Sequence, residues 1–359
     1  MEGVNRRDFA KLAGSALAGI LAMRGGMAFA QSDADLRLAA LDYIDPELRP
    51  AARQVLAMSG QMGEFNDETL KMMRAGGGPP PIPVLDDVPI EEVQVPAQGS
   101  LPAVTVFVVN ADPKGQRPAI LHTHGGGYIL GSAKGELRTR QETAKELDCV
   151  IVTVEYRLAP ETRYTGSIED NYAGLLWLYN NAARLGVDRN RIALMGESAG
   201  GGHAALLAIA ARDRGEVPLV LQALIYPMLD DRTGSTAQLP WYIGAVGWDA
   251  PANRFGWKSF LGVEPGGANV PAAGVPARLE EMKGLAPAFI AVGGVDLFVS
   301  EDIDYARRLT EAGIPTELLV LPGAFHGFDQ VSAGTRLANI FTAKKHEALR
   351  RAFGMESIA

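Results

Sequence analysis

Hydrophobic positions along this chain change rhythm twice. Between residues 35 and 75 they recur near helical spacing: Leu36, Leu38, Leu41 and Ile44, then Leu48, Val55, Leu56 and Met58. Pro46, directly after Asp45, marks a helix start. The run G-G-G-P-P-P-I-P at 76–83 suits neither helix nor strand interior and predicts a linker. From about residue 90 the pattern becomes short apolar runs with helix-like segments between most of them. Runs at 104–109, 119–124, 150–154, 191–196, 219–225, 288–293 and 317–321 predict strands, and 135–147, 167–185, 198–212, 301–313 and 335–352 predict helices. Several strand runs are apolar without alternation, as expected where both faces of a parallel sheet are covered. Strand–helix alternation of this kind predicts a doubly wound α/β sheet. Residues 228–275 interrupt it. They hold Trp241, Trp248 and Trp257, three of the four tryptophans, with many glycines and no strand. They predict an insertion after the strand that ends at Ile225. No internal repeat is present.

The first thirty residues follow another logic. Arg6 and Arg7 precede Phe9 and Lys11, an Ala/Gly-rich apolar stretch follows, and Ala28-Phe29-Ala30 ends it as a small-x-small cleavage pattern. This resembles a bacterial twin-arginine export signal. The apolar stretch is about a dozen residues, short of the ~20 that span a bilayer. The resemblance implies a precursor handled by the twin-arginine export machinery, a mature chain starting near Gln31, and a periplasmic or secreted protein. That route carries folded proteins, which suits a chain whose single cysteine, Cys149, excludes an intramolecular disulfide. Cys149 lies in the apolar run C-V-I-V-T-V and reads as a small buried hydrophobe.

With 359 residues, 47% hydrophobic and 21% charged, the chain has an ordinary globular mix that supports a large core. Its formal net charge is −8, and loss of the first thirty residues, which carry four bases and two acids, takes it to −10. Nothing there offsets phosphate repulsion, so nucleic acid is excluded as a partner.

Candidate chemistry gathers at strand ends, where open parallel sheets bind ligands. The strand R-I-A-L-M-G runs straight into a helix, and Gly196-Glu197-Ser198-Ala199-Gly200 spans the junction as G-x-S-x-G. A turn this sharp needs little bulk two residues either side of the serine, and it projects Ser198 from its tip. The helix that follows favours negative charge developing at its N-terminus. Gly201 and Gly202 then allow close packing in its first turn. Upstream, His124-Gly125-Gly126-Gly127 follows the strand A-I-L-H-T-H and offers backbone N–H groups to a substrate oxygen. Downstream, one strand ends at Val295-Asp296 and another at Ala324-Phe325-His326. The order Ser198, Asp296, His326 is that of α/β hydrolases. Among the other histidines, His203 falls on the helix after the serine and reads as packed or exposed. His122 lies within a strand, and His346 in the last helix reads as a surface residue. Glu301, Asp302 and Asp304, the rivals of Asp296, read as the solvated first turn of the next helix. His122 and His124 form a two-residue pair without further partners, so no metal site is expected.

Taken together, His124-Gly125-Gly126-Gly127, the stretch Glu155-Tyr156-Arg157-Leu158-Ala159-Pro160-Glu161, Gly196-Glu197-Ser198-Ala199-Gly200-Gly201 and Phe325-His326-Gly327-Phe328 resemble the bacterial hormone-sensitive-lipase-like (family IV) esterases over about residues 85–345. That resemblance implies an α/β-hydrolase fold: a mostly parallel central sheet flanked by helices, with a helical cap. It divides the chain into the export signal at 1–30, an N-terminal helical cap segment at 31–78, and a catalytic domain at 79–359 whose cap insertion lies at about 228–275. It also implies oxyanion-hole N–H groups from Gly125, Gly126 and Ala199, and a structural role for Tyr156–Glu161. Two departures stand out. Glu197 occupies the place of the family's usual aspartate, and Asp296-Leu297-Phe298-Val299-Ser300-Glu301 keeps only the ends of D-P-L-R-D-E.

The implied activity is a serine carboxylesterase acting on short- to medium-chain acyl or aryl esters through Ser198, His326 and Asp296, with a small-molecule ester as substrate and no cofactor. Trp241, Tyr242 and Trp248, together with Trp257, either wall an acyl or aryl pocket or pack the cap onto the core. The same triad would serve amides, lactones or acetylated sugars, and an inactive triad would leave a ligand-binding protein. A homodimer is left open.

Overall fold

The computed structural model describes residues 33–62, 65–75 and 82–355. The expected export signal at 1–30 and most of the proline-rich run lie outside them. The described residues form one eight-stranded sheet: β1 (Ile90–Val95), β2 (Val104–Val109), β3 (Arg117–Thr123), β4 (Val150–Glu155), β5 (Val187–Glu197), β6 (Leu221–Ile225), β7 (Ala288–Gly293) and β8 (Thr316–Leu321). Their order is β1-β2-β4-β3-β5-β6-β7-β8. β2 pairs antiparallel with both neighbours and every other pairing is parallel. All seven strands expected from the apolar runs are present within a few residues of the expected limits. β1 was not expected. Its sequence, I-E-E-V-Q-V, is polar because it is an edge strand with one exposed side, so it has no uninterrupted apolar run to betray it.

Helices are α1 (Asp33–Ala39), α2 (Arg49–Met62), α3 (Asp67–Ala75), α4 (Leu137–Glu146), α5 (Tyr164–Asn180), α6 (Ala182–Leu185), α7 (Ala199–Arg214), α8 (Ala250–Leu261), α9 (Val299–Glu311), α10 (Phe328–Val331) and α11 (Arg336–Ala352). Regular helix after Pro46 begins only at Arg49, beyond a turn at 46–48. The central strands are buried on both faces because successive side chains point to opposite sides. Ile120, Ile151, Met195 and Phe289 join α2, α4 and α11 on one face, while Leu121, Val152, Leu194 and Ile290 join α5, α7 and α9 on the other. Cys149 is fully buried in the first of these cores, and its burial pushes the thiol pKa up.

A third apolar cluster covers the carboxyl ends of the strands. It joins Leu70 of α3, Tyr128 and Ile129 of the loop after β3, and Trp257, Phe260 and Leu261 of α8. The segment between β6 and β7 holds α8 and, apart from an isolated bridge between Thr233 and Ala237, no strand. Arg74 ties the N-terminal helices down. It donates to the carbonyls of Ile129 (2.8 and 3.0 Å) and Ala159 (2.7 Å) and pairs with Glu161. Arg37 pairs with Asp249 at 2.7 Å and joins α1 to the start of α8. No helix among the described residues is long and apolar enough to cross a membrane.

Three surface expectations need correction. Glu301 and Asp302 are 6% and 0% exposed, because the first turn of α9 runs under the cap rather than facing solvent; only Asp304 is exposed. His346 is half-buried, and desolvation lowers its pKa to about 4. The core on the α11 face depends on Phe341, which is fully buried among β-sheet and α10 side chains. Phe341→Ala should cost about 3–5 kcal/mol. A lower urea midpoint at unchanged slope is the expected signature, and an unchanged midpoint would refute this account of the core.

Candidate active site

The strand order reverses at β3, which lies between β4 and β5. Register places Thr123 of β3 beside Gly196 of β5. The chain segments leaving these two strands are therefore neighbours. One is His124–Gly127, the other Glu197–Gly200. Such a switch point is where an open α/β sheet leaves a crevice.

Ser198 occupies the turn from β5 to α7 with φ 58° and ψ −122°, a conformation that an L-residue adopts only under constraint. Its backbone is held from three sides: its N–H donates to Ile225, and its carbonyl accepts from Gly202 and Met228. A Cβ on Gly196 would lie 2.2 Å from the Gly200 carbonyl oxygen, and one on Gly200 would lie 2.1 Å from that of Thr123. The turn has no room for side chains at either position, which is the physical content of the two glycines in G-x-S-x-G. Gly201 and Gly202 pack against Pro227 and Tyr128, as expected of a tightly seated first turn.

Asp296, just past β7, and His326, just past β8, reach the same point. His326 Nε2 lies 2.9 Å from Ser198 Oγ, and Nδ1 lies 2.9 Å from Asp296 Oδ2. An ionised carboxylate only accepts, so Nδ1 carries the proton and Nε2 is left to accept from the serine hydroxyl. Asp296 is fully buried, and its other oxygen accepts from the Phe298 N–H at 3.0 Å. The rings of Tyr226 and Phe298 stand edge-on to the imidazole at 4.8 and 5.1 Å. Ser198 itself is 8% exposed.

The H-G-G-G loop abuts the serine: a Cβ on Gly125 would lie 3.6 Å from Ser198 Cβ. Of the expected oxyanion donors, Gly126 and Ala199 have N–H groups without an acceptor among the described residues, as does Gly127. The Gly125 N–H faces the Glu136 carboxylate instead, whose pKa is raised by burial despite the opposing pull of Arg140. The Tyr156–Glu161 stretch supports this loop: Tyr156 Oη donates to the His124 carbonyl at 2.6 Å, and the Ala159 N–H to the Tyr128 carbonyl. Arg157 anchors the stretch through a bidentate pair with Asp170.

Of the cap aromatics, Trp248 reaches the site. A Cβ on Gly127 would lie 2.3 Å from its ring, which meets Phe65 at 5.7 Å and donates to Asn253. Trp241, 49% exposed, and Tyr242 meet Tyr43 of the N-terminal segment, with Tyr242 stacked on it at 3.9 Å. Trp257 is fully buried and packs the cap on Tyr128 and Phe260. His203 is buried among Tyr128, Tyr156 and Phe260, and desolvation lowers its pKa to about 3. His124 stacks on Tyr156 and is lowered by burial to about 4.

Sequence reasoning missed a charged cluster behind the serine. Glu197 Oε2 meets His122 Nε2 at 2.7 Å, and Oε1 accepts from Arg140 at 2.9 Å. Burial opposes ionisation of Glu197, yet Arg140 and His122 outweigh it and hold the carboxyl well below its ordinary range. Donor atoms of His122, Glu136 and Glu197 lie within 4.8 Å of one another and form a potential metal ligand set. The Arg140 guanidinium already supplies that cluster's positive charge. A polar residue following the apolar run of each strand, His122 in β3 and Glu197 in β5, was the available signal.

Near Asp296 lies a second unexpected group. Glu301 accepts from the N–H groups of Leu229 and Asp230 and so pins the root of the cap. Asp302 has no hydrogen-bond partner among the described residues. Burial, then the neighbouring Glu301 and Asp296, raise its pKa well above 3.8. The folded state therefore keeps a proton that the unfolded chain releases between that ordinary value and the raised one. Stability falls as pH rises through this window, by at most about 1.4 kcal/mol per unit for one proton. Asp302→Asn should remove that fall, so its thermal midpoint should gain on the parent's between pH 5 and pH 9. Parallel pH curves for the two proteins would contradict this.

A family model for the α/β-hydrolase fold matches residues 120–330. The chain is 31% identical to an AB hydrolase superfamily protein of Schizosaccharomyces pombe, over 76% of this chain and 81% of that one. It is 35% identical to carboxylesterase NlhH of Mycobacterium tuberculosis, over 66% and 74%. Among solved structures, a bacterial heroin esterase superposes with a TM-score of 0.73 at 33% identity, covering 87% of this chain and 99% of that one.

Proposed function

On the premise that the chain belongs to the α/β-hydrolase family, we propose that it hydrolyses carboxylic esters with Ser198 as nucleophile, His326 as general base and Asp296 as its partner. The observation that carries this reading is the continuous relay from Ser198 Oγ to His326 to Asp296, with two contacts of 2.9 Å. Esterases and carboxylesterases among the relatives support the reaction class.

In this mechanism Ser198 Oγ attacks the ester carbonyl carbon as its proton passes to His326 Nε2. Asp296 holds the ring and stabilises the imidazolium. The carbonyl π electrons move onto the oxygen, which the free N–H groups of Gly126 and Ala199 receive, with Gly127 next in the loop. The N-terminus of α7 adds its dipole in the same direction. Collapse of the tetrahedral intermediate breaks the C–O bond to the alcohol, which leaves with the proton from His326. Water, deprotonated by His326, then attacks the acyl-Ser198 and releases the acid. The strained φ of Ser198 is relieved by no step here; its use is to hold Oγ clear of α7 and pointed at the imidazole.

The substrate class we propose is short- to medium-chain acyl or aryl esters. Trp248 supports it: the ring lies on Gly127 beside the oxyanion donors and is held in one orientation by Asn253, whose own amide donates to Thr233. We further propose that the Arg6-Arg7 segment directs export of the folded chain.

A p-nitrophenyl ester series from acetyl to lauroyl tests the reading. Turnover should peak at short chains. Ser198→Ala should lose at least about 10³-fold in rate, and Asp296→Asn about 10⁴-fold through the wrong imidazole tautomer. Full activity in Ser198→Ala would end this mechanism. Trp248→Ala should move the preference toward longer acyl chains at similar folding stability, and an unchanged profile would remove Trp248 from the pocket.

A further inference from the structure

The residue before the serine is where the chain departs from the motif it resembles, and the structure gives that residue an unusual setting. Glu197 ends β5, and its carboxylate turns away from the crevice into the protein. Arg140 of α4 donates to one oxygen at 2.9 Å. His122 of β3 meets the other at 2.7 Å, and its opposite nitrogen meets Thr153 of β4 at 2.8 Å. Glu136, in the turn that leads into α4, approaches the same two partners, at 3.5 Å from His122 and 3.9 Å from Arg140. The Gly125 N–H faces Glu136. Lys345 of α11, Tyr226 after β6 and Asp329 of α10 lie at longer range around the cluster.

One consequence follows from the topology. Glu197 is covalently next to Ser198, and Glu136 is held against the first glycine of the H-G-G-G loop. Both carboxylates share Arg140 and His122. Hydrogen bonds of 2.7 and 2.9 Å on the Glu197 side, and charge contacts of 3.5 and 3.9 Å on the Glu136 side, thereby link the nucleophile's turn and the oxyanion loop, which belong to different strands. They also touch directly, since a Cβ on Gly125 would lie 3.0 Å from the Glu197 carbonyl oxygen. Apolar side chains would fill this space with less desolvation cost, but packing alone is not directional and would leave the spacing of turn and loop to whatever the core allows.

We infer that Glu197 and Glu136 are positioning residues: through His122 and Arg140 they set the distance between Ser198 Oγ and the N–H groups of the oxyanion loop. The inference rests on Ser198 being the nucleophile. Reacting groups misplaced by as little as about 1 Å lose on the order of 10²-fold in rate, so a small shift of the loop is enough to register.

The test uses Glu136→Gln and Glu197→Gln in the full chain. Functional sites are counted with a fluorophosphonate, and kcat and KM for p-nitrophenyl butyrate are expressed per counted site. A trifluoromethyl ketone, which adds to the serine and places an oxyanion in the hole, gives a Ki. In both variants kcat per site should fall roughly tenfold or more, KM should stay within about twofold, and Ki should rise by the same factor as kcat falls. A cluster that only stabilises the fold would reduce the number of sites and leave kcat per site and Ki unchanged, and that result overturns the inference. If Glu197→Gln does not fold, Glu136→Gln decides alone, because the Glu136 side chain is 29% exposed and lies 3.9 Å from Arg140, outside hydrogen-bond distance. Ser198→Ala, run in parallel, keeps the two readings apart: hydrolysis surviving there refutes the serine mechanism itself, whatever the glutamine variants do.

Discussion

Everything in this active centre depends on one close approach of backbone to backbone. The turn between β5 and α7 brings the Gly200 carbonyl to where a side chain on Gly196 would stand, and presses Gly200 against the end of β3. That contact exists because β3 and β5 are adjacent and in parallel register. With it, Ser198 is forced to a positive φ and its hydroxyl is carried out of the sheet. Without it, the strand could enter the helix by a wider turn, and the hydroxyl would face the helix rather than His326. The strain is repaid by three backbone hydrogen bonds around a single residue and by the buried carboxyl half of β5 below it.

The electrostatics are divided around this turn. On one side Asp296 is buried, hydrogen-bonded and aimed at His326. Beneath it Asp302 is buried, has no hydrogen-bond partner among the described residues and resists ionisation, so Asp296 is kept from sharing its surroundings with a second negative charge. On the other side Arg140 offsets Glu197, burial raises the pKa of Glu136, and His122 is neutralised by burial and by the guanidinium. Charge that would be prohibitive alone becomes a directional tie where Glu197 meets both His122 and Arg140. The rings of Tyr226 and Phe298 stand edge-on to His326, and that of Trp248 lies against Gly127.

The cap is not a separable lid laid over this arrangement. Arg74 of α3 grips the carbonyls of Ile129 and Ala159, both within loops that support the H-G-G-G turn. Arg37 joins α1 to Asp249, the residue that caps α8 and follows Trp248. The N-terminal helices and the insertion after β6 are thus tied to each other and to the oxyanion loop. Two arginines thus fasten segments distant in sequence around one crevice.

The sequence alone carried the fold class, seven of the eight strands, the five main helices of the catalytic domain, the place of the insertion, and the three residues that meet at the crevice. It did so because buried parallel strands are apolar without interruption, because a turn with no room for side chains must be written in glycine, and because only one histidine follows the serine at a strand end. The polar edge strand β1 left no such mark. Neither did the burial of Glu301 and Asp302, which sit in a helix whose first turn looks solvated until the cap is placed over it. The pairing of Glu197 with His122 and Arg140 joins residues up to 75 positions apart, and the approach of Glu136 to the same two partners is equally non-local. Periodicity reports which face of an element is buried, but not what lies opposite. Partner choice is set by strand order and register, and those are decided only when the whole sheet assembles.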